Sequence, residues 1–262
     1  GVGREDVILP PKTLDLLDRN VVRFVRHRNS LRRAGQAIRK GLLFYGPPGN
    51  GKTHTIHYLI RALEGHTTLL IAAEEVKSLG EYMTLARLLQ PSVVVIEDVD
   101  LIARERTDLD SPCQESLLNK LLNEMDGLKE DAEILFILTT NRPADLEKAL
   151  ASRPGRVDQA IEFPLPDEDC RRKLVQLYAR GIQTSGEVVD AIVSKTAGAS
   201  AAFMKELVRR SMLHHLDRAD EPVVDLQDVD NALEELLAGG GSLNRMLLGA
   251  DGNPAGFAAG VG

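Results

Sequence analysis

Short apolar runs alternate with longer stretches of helical periodicity through the first two thirds of the chain. Each run has four or five residues and is typical of a buried strand, whereas the stretches between them carry apolar residues at spacings of three and four. This alternation predicts an α/β fold, a parallel five-stranded sheet with helices on both faces. The predicted strands are 42–45, 68–72, 93–96, 134–138 and 160–163.

The pattern changes after residue 166, where only helical periodicity continues and no strand is predicted. The predicted helices are 167–180, 186–195, 200–218 and 225–238, and each begins near a side chain suited to capping, namely Asp167, Ser185, Ser200 and Asp225. The chain therefore divides into four predicted regions. These are an N-terminal linker and basic helix (1–40), an α/β domain (41–166), a small all-helical domain (167–238) and a flexible Gly/Ala-rich tail (239–262).

Composition describes an ordinary globular protein, with 43% hydrophobic and 27% charged residues. The net charge of −7 argues against bulk nucleic-acid binding, although it leaves a local basic patch open. Cys113 and Cys170 are isolated, which favours two plain thiols in a reducing compartment. No apolar run has membrane-spanning length and no signal peptide is recognisable, so we expect a cytoplasmic protein. The chain begins without methionine, as a fragment lacking upstream domains would.

Residues 19–40 contain eight Lys/Arg and no acid. The simplest interpretation is a solvated basic helix that leads into the first strand. A docking surface for an acidic neighbour, including another copy of the chain, is the second interpretation. Nucleic acid is the third, because no aromatic residues are interleaved with the charges in the way that single-strand binding requires.

The segment Gly46-Pro-Pro-Gly-Asn-Gly-Lys-Thr53 matches the phosphate-loop pattern G-x-x-x-x-G-K-[ST] and lies between a predicted strand and a predicted helix. Glycines let the backbone N–H groups turn inward around phosphates, and the helix N-terminus adds partial positive charge. Lys52 is expected to reach the outer phosphates, and the Thr53 hydroxyl to bind Mg²⁺. The predicted nucleotide-binding residues of this segment are Pro48, Gly49, Asn50, Gly51, Lys52, Thr53 and His54.

Acidic residues follow the third predicted strand, in the order Glu97-Asp98-Val-Asp100. Ligands of open α/β sheets bind beyond the carboxyl ends of the strands, so these acids and the phosphate loop are expected to converge. There they are suited to holding Mg²⁺ and orienting an attacking water. A capping cluster for the next helix is the alternative.

These motifs, with Leu118–Gly127, Thr139-Thr-Asn-Arg-Pro143, Arg153-Pro-Gly-Arg-Val-Asp158 and Phe163-Pro-Leu-Pro-Asp167, resemble the AAA family of ATPases. The resemblance covers about residues 20–237, in the family's order and spacing. It implies an ATP- and Mg²⁺-dependent enzyme that hydrolyses ATP to remodel a protein substrate or complex.

The resemblance also assigns roles to residues outside the phosphate loop. Asn141 matches the residue that senses the γ-phosphate, and an amide suits that role because it both donates and accepts. Arg153 and Arg156 match arginine fingers that act on the ATP of a neighbouring subunit, which implies a homo-oligomeric ring, usually a hexamer. The helical domain resembles the family's lid, where Leu174, Tyr178, Gly198 and Ala199 match positions near the adenine.

Three departures from the family pattern concern mechanism. The acids stand as Glu97-Asp98 rather than Asp-Glu; Glu97 takes the metal-side place and Asp98 the catalytic one. Asp100 competes for the catalytic role, since strand alternation would put it on the same face as Asp98. Ser78 occupies the place of the pore-loop aromatic, with Tyr82 as a nearby substitute, and the segment before Arg153 is one residue longer than usual.

Three functions remain open from the sequence. An ATP-hydrolysing remodelling ATPase accounts for most motifs. A regulatory scaffold that binds ATP and hydrolyses it poorly would fit the inverted acids and the missing aromatic. A phosphate-loop kinase acting on a small molecule would explain neither the paired arginines nor the helical domain. The protein substrate is not identifiable from these residues.

Overall fold

The computed structural model describes residues 1–72, 75, 78–104, 115–144, 146 and 155–238. The chain forms two compact units. The first consists of Gly1–Val2, Pro11–Gly46 and Lys52–Phe163, and the second of Gly3–Pro10, Pro47–Gly51 and the chain from Pro164 onward. The predicted tail, Arg153 and Cys113 lie outside the described residues.

The first unit is built on a five-stranded sheet in the order β2-β3-β4-β1-β5. All four pairings are parallel, as the strand and helix alternation predicts. The strands are β1 (Lys40–Tyr45), β2 (Thr67–Ile71), β3 (Ser92–Ile96), β4 (Ile134–Thr140) and β5 (Gln159–Glu162). Every residue of β3 and β4 is buried, because helices cover both faces of the central strands.

The first unit also contains helices, several of which place apolar side chains in its core. They are α1 (Pro11–Leu17), α2 (Phe24–Arg26), α3 (Arg28–Arg33), α4 (Lys52–Ala62), α5 (Leu79–Leu88), α6 (Val99–Arg104) and α7 (Glu115–Asp126). The core includes Leu121 and Leu122 of α7, each 0% exposed, beside Phe136 of β4. The helical spacing of the apolar residues in α7 therefore places these two leucines in the core.

The predicted basic helix is interrupted rather than continuous. A π-helical turn, Asp18–Arg23, links α1 to α2, and α3 ends at Arg33, before β1. Arg28 and Arg32 both pair with Glu133, so part of the basic charge is neutralised inside the same unit. The stretch is thus less purely solvated than the charge pattern predicts.

The second unit contains the predicted helices α8 (Glu168–Tyr178), α9 (Gly186–Lys195), α10 (Ala201–Leu216) and α11 (Leu226–Ala238). The predicted caps are confirmed: Asp167, Ser185 and Ser200 each accept the backbone N–H three residues on. Asp225 accepts the N–H of Asp228 at 3.0 Å in the same way. Such caps satisfy backbone donors that a helix leaves unpaired at its start.

The prediction of no strand after residue 166 is wrong in one detail. Two-residue strands β6 (Gln183–Thr184) and β7 (Val223–Val224) pair in parallel. Segments this short lack the period-two repeat that reveals a strand in sequence.

Cys170 is buried in α8, which raises the pKa of its thiol to about 12, as expected of an unreactive cysteine. Among the described residues, no helix is both long and apolar enough to cross a membrane.

Candidate functional site

The phosphate loop connects the end of β1 to the start of α4, as its flanking pattern predicts. Gly46 has a φ of 143°, and a Cβ there would lie 2.2 Å from the carbonyl oxygen of Phe163. Gly51, just before α4, has a φ of 86°, which a residue with a side chain rarely adopts. Both glycines are therefore required by the course of the backbone.

Lys52 is the first residue of α4 and is only 7% exposed. Its Nζ donates to the Gly46 carbonyl oxygen at 2.7 Å, which keeps the ammonium folded over the loop. Burial lowers the pKa of Lys52 to about 8, against the opposing effect of the Asp98 and Asp100 carboxylates. A buried cation with a lowered pKa gains from a nearby anion, which is what a phosphate would supply.

Asn50 is a second polar group buried in the loop, with 4% of its surface exposed. Its Oδ1 accepts the N–H of Ala201 at 3.3 Å, and the Gly49 carbonyl accepts that of Ala202 at 3.0 Å. The Nδ2 of Asn50 is buried without a hydrogen-bond partner in the described part of the chain. Buried donors are rarely left unsatisfied, so this orphaned amide fits a loop that binds an anionic ligand.

Glu97 directly follows β3 and lies against the first turn of α4. Its Oε1 accepts a hydrogen bond from the Thr53 hydroxyl at 2.6 Å. A hydroxyl and a carboxylate are oxygen ligands of the kind that Mg²⁺ prefers. Thr53 and Glu97, both predicted as metal residues, are thus adjacent, and the residues present fit the ion.

Asp98 lies beside the predicted phosphate sensor at the end of β4. Its Oδ1 accepts from Asn141 Nδ2 at 3.0 Å. Burial raises the pKa of Asp98, as do the neighbouring charges of Asp100 and Glu97, whereas Lys52 and the Asn141 hydrogen bond lower it. A carboxylate held near others and partly desolvated is a better proton acceptor than an exposed one.

The strand that precedes these acids ends at Ile96, so the strand-alternation argument for Asp100 was wrong. Asp100 lies in the first turn of α6 and is 3% exposed. Its Oδ1 accepts from the Thr140 hydroxyl at 2.8 Å and from the Asn141 N–H at 3.2 Å. Asp100 therefore supports the end of β4, and its carboxylate is already engaged by protein donors.

The residues predicted near adenine belong to the second unit, where they share one hydrophobic cluster. Leu174 and Ala199 are buried in it, and Tyr178 packs against it. Gly198, just before Ala199, is exposed with a φ of 79°. Sequence reasoning missed Ile8, which packs against the same cluster. The apolar run around Ile8 carried no motif that would have linked it to residues so distant in sequence.

Arg156 is nearly buried, with 9% of its side chain exposed, and pairs with Asp126 at the end of α7. Its Nη1 is buried without a partner among the described residues. The arginine predicted as a finger thus forms an ion pair within its own chain. Its predicted companion, Arg153, lies outside the described residues.

The remaining predicted residues are at the surface or in the core. Pro48 and Gly49 form the exposed crown of the loop, and His54 is exposed on the first turn of α4. Ser78 immediately precedes α5, and Tyr82 packs against the core of the first unit. The nearby aromatic is therefore occupied in packing.

Comparison with known proteins agrees with these motifs. Residues 42–165 match the family model described as ATPase family associated with various cellular activities (AAA). The chain is 33% identical over 237 residues to the 26S proteasome regulatory subunit 8 homolog of Encephalitozoon cuniculi, covering 84% of this chain and 59% of that protein. It is 33% identical over 212 residues to the proteasome-activating nucleotidase of Methanothermobacter thermautotrophicus, covering 76% and 51%.

A metalloprotease relative shows similar identity over a smaller share of its length. The ATP-dependent zinc metalloprotease FtsH of Mycoplasmopsis synoviae is 30% identical over 243 residues, which are 87% of this chain and 36% of that protein. This chain thus spans between about a third and three fifths of the relatives it matches. The phosphate loop, the acids after β3 and Asn141 all lie in residues 42–165, and this segment belongs to the AAA family of ATPases.

Proposed function

We propose that this chain hydrolyses ATP to ADP and phosphate in a Mg²⁺-dependent reaction. The observation that carries the proposal is a pair of hydrogen bonds at the carboxyl ends of β3 and β4. Thr53 donates to Glu97 and Asn141 donates to Asp98, which sets a metal-binding pair next to a pair suited to activating water. The buried Lys52, with its lowered pKa, lies within electrostatic reach of Asp98 and Asp100.

Each residue of the site has a defined task in this proposal. The loop backbone around residues 48–54 and the Lys52 ammonium bind the phosphates. Thr53 and Glu97 would hold Mg²⁺, which supplies positive charge to the phosphate oxygens when bound. Asp98 accepts a proton from the attacking water, and Asn141 keeps the Asp98 carboxylate oriented.

The adenine is assigned to Leu174, Tyr178, Gly198 and Ala199, with Ile8 added. Support comes from their common hydrophobic cluster, which offers apolar surface to a flat base. The glycine at position 198 leaves backbone accessible beside that cluster, because it has no side chain.

We also propose that the active form is a homo-oligomeric ring, hexameric as in the family, in which Arg153 and Arg156 act on the neighbour's ATP. A guanidinium suits this role because it keeps its charge and contacts phosphate bidentately. Within one subunit Arg156 pairs with Asp126, so it would have to exchange that carboxylate for phosphate on assembly.

A protein is the proposed substrate of the remodelling activity. Support comes from the names of the relatives, which include proteasome regulatory subunits and a metalloprotease and so refer to machinery that acts on proteins. Ser78 and the packed Tyr82 leave no described aromatic for gripping an unfolded chain, so the proposal does not include threading through a pore.

The first experiment measures steady-state ATP hydrolysis at increasing protein concentration, with sedimentation velocity in parallel. We expect the activity per subunit to rise with assembly and to vanish without Mg²⁺. ATP binding without turnover in the assembled protein would favour the regulatory scaffold instead. Constant activity per subunit in a protein that remains monomeric would remove the ring from the proposal.

A mixing experiment tests action between subunits. Arg156→Ala should bind ATP normally and hydrolyse it slowly, whereas Lys52→Ala should fail to bind. A mixture of the two should regain activity, because some interfaces combine an intact loop with an intact arginine. If mixed assemblies form and remain inactive, Arg156 does not act on a neighbour.

A further inference from the structure

Asp98 has an unusual backbone conformation. Its φ is +50°, and it is the one non-glycine residue with positive φ within the described part of the chain. This left-handed region is disfavoured for residues with a side chain, although Asp and Asn enter it more readily than others. A residue held there needs support from its surroundings.

Thr139 supplies that support from the neighbouring strand. The backbone N–H of Asp98 donates to Thr139 Oγ1 at 3.0 Å. Regular pairing between β3 and β4 ends with Ile96 opposite Leu138, so the ladder no longer provides an acceptor for this amide. Thr139 is 2% exposed, which places its hydroxyl in the interior beside the end of β3.

Residues at the end of β4 therefore bind both the backbone and the side chain of Asp98. Thr139 binds its amide, and Asn141, two residues later, binds its carboxylate at 3.0 Å. Aspartate is one methylene shorter than glutamate, so the direction of its carboxylate depends more on the backbone than on side-chain rotation. The order Glu97-Asp98 thus puts the shorter acid where the backbone is left-handed.

We propose that Thr139 is a positioning residue for hydrolysis: its hydroxyl holds the left-handed backbone of Asp98 and so aims the Asp98 carboxylate at Asn141. This inference rests on the proposed ATP hydrolysis. A purely packing role for Thr139 would instead depend on the volume and shape of its side chain, which valine reproduces.

The test compares Thr139→Val with Thr139→Ser and with the matched control Thr196→Val. Thr196 is also fully buried, but its hydroxyl donates to the Ile192 carbonyl of its own helix. Thr139→Val should lower kcat about tenfold or more, since small misplacement of a catalytic group has large effects, with little change in KM. Serine should restore most of kcat, and Thr196→Val should leave it unchanged.

Hydrogen exchange of the Asp98 amide gives a readout that a packing role would not move. The amide should exchange faster in Thr139→Val and stay protected in Thr139→Ser. If the wild type hydrolyses ATP but Thr139→Val has an unchanged kcat or an unchanged exchange rate of the Asp98 amide, the inference about Thr139 is wrong and the proposed function stands. A wild type that assembles with ATP and Mg²⁺ but does not hydrolyse overturns the proposed function, and with it the catalytic purpose of Thr139.

Discussion

At the carboxyl end of the sheet, the carboxylates of Asp98 and Asp100 lie within electrostatic reach of the buried Lys52. Asp228 of the second unit is instead surrounded by hydrogen-bond donors. Asp228 is 0% exposed, and it accepts from His215 at 2.9 Å, from the Asp225 N–H at 3.0 Å and from Arg218. Both regions contain buried acids, yet their electrostatic environments differ.

The directions of the pKa shifts express this difference. In the first unit burial raises the pKa of Asp98 and lowers that of Lys52, so both charged forms are disfavoured. In the second unit a hydrogen bond from Arg209, supported by Arg210, lowers the pKa of Glu206 to about 2. The backbone N–H of Asp228 likewise lowers the pKa of Asp225.

This contrast separates chemistry from structure. Charged groups that burial destabilises are typical of functional sites, whereas charged groups that are bound by neighbouring donors are typical of structural networks. The same contrast bears on whether His215, Asp225 and Asp228 form a metal site. Their potential ligand atoms lie within 4.8 Å of one another. Because Arg218 and backbone amides already engage these carboxylates, we interpret the cluster as a helix cap rather than a metal site.

The largest effect is expected from Lys52→Ala, which should reduce ATP hydrolysis about 10²-fold or more through lost phosphate binding. Lys40 is a matched control, because burial lowers its pKa too but it donates to Asn20 at the opposite end of β1. Lys40→Ala should keep ATP affinity, as measured with a fluorescent nucleotide. Equal losses in both variants would mean that the site is wrongly assigned.

The comparison itself is tested by Asp98→Asn and Asp228→Asn. Asp98→Asn should reduce hydrolysis about 10²-fold or more, because it removes the proposed proton acceptor. ATP binding and stability should persist, because the lost carboxylate is disfavoured by burial and by the neighbouring acids. Asp228→Asn should lower the free energy of unfolding by about 2 kcal/mol, because it removes the charge from a buried acceptor of several hydrogen bonds. Urea unfolding and ATPase rates on the same preparations check both. The reverse outcome would exchange the roles of the two regions.

Metal dependence gives a smaller effect. Glu97→Gln should raise the Mg²⁺ concentration needed for half-maximal hydrolysis about tenfold, since it weakens a metal ligand. Asp100→Asn should change that concentration less, because Asp100 binds Thr140 and Asn141. Mg²⁺ titrations of the ATPase rate distinguish them. If Asp100→Asn is the inactive variant and Asp98→Asn hydrolyses freely, Asp100 is the catalytic acid.

The smallest effect concerns pH. Lys52 has a pKa of about 8 without nucleotide, and bound phosphates should raise it. Above pH 8 the Lys52 amine of the free protein is mostly neutral, so ATP binding must be accompanied by uptake of a proton. ATP affinity should therefore be about tenfold weaker at pH 9 than at pH 7. Calorimetry in two buffers of different ionisation heat measures the proton uptake. Lys52→Arg should lose this dependence, because arginine stays charged; its persistence there would point to another group.

Most of the fold was predictable because its signals are local. The five strands, the four helices after residue 166 and their caps follow from apolar spacing and capping chemistry. The pair β6 and β7 was not predictable, because two-residue strands have no period and join segments about 40 residues apart. Of the site, the phosphate loop was evident from its spacing, whereas Ile8, Thr139 and the packing of Tyr82 depend on contacts between distant segments.

The amino-acid sequence by itself determined the parallel α/β architecture, the phosphate loop and the family, because spacing along one chain segment encodes each of them. Only the tertiary structure decided which partner each acid binds. The end of β3 at Ile96 and the left-handed turn at Asp98 direct Asp98 to Asn141 and Asp100 to Thr140. Three acids within four residues look alike in sequence, and only the contacts of the folded chain distinguish them.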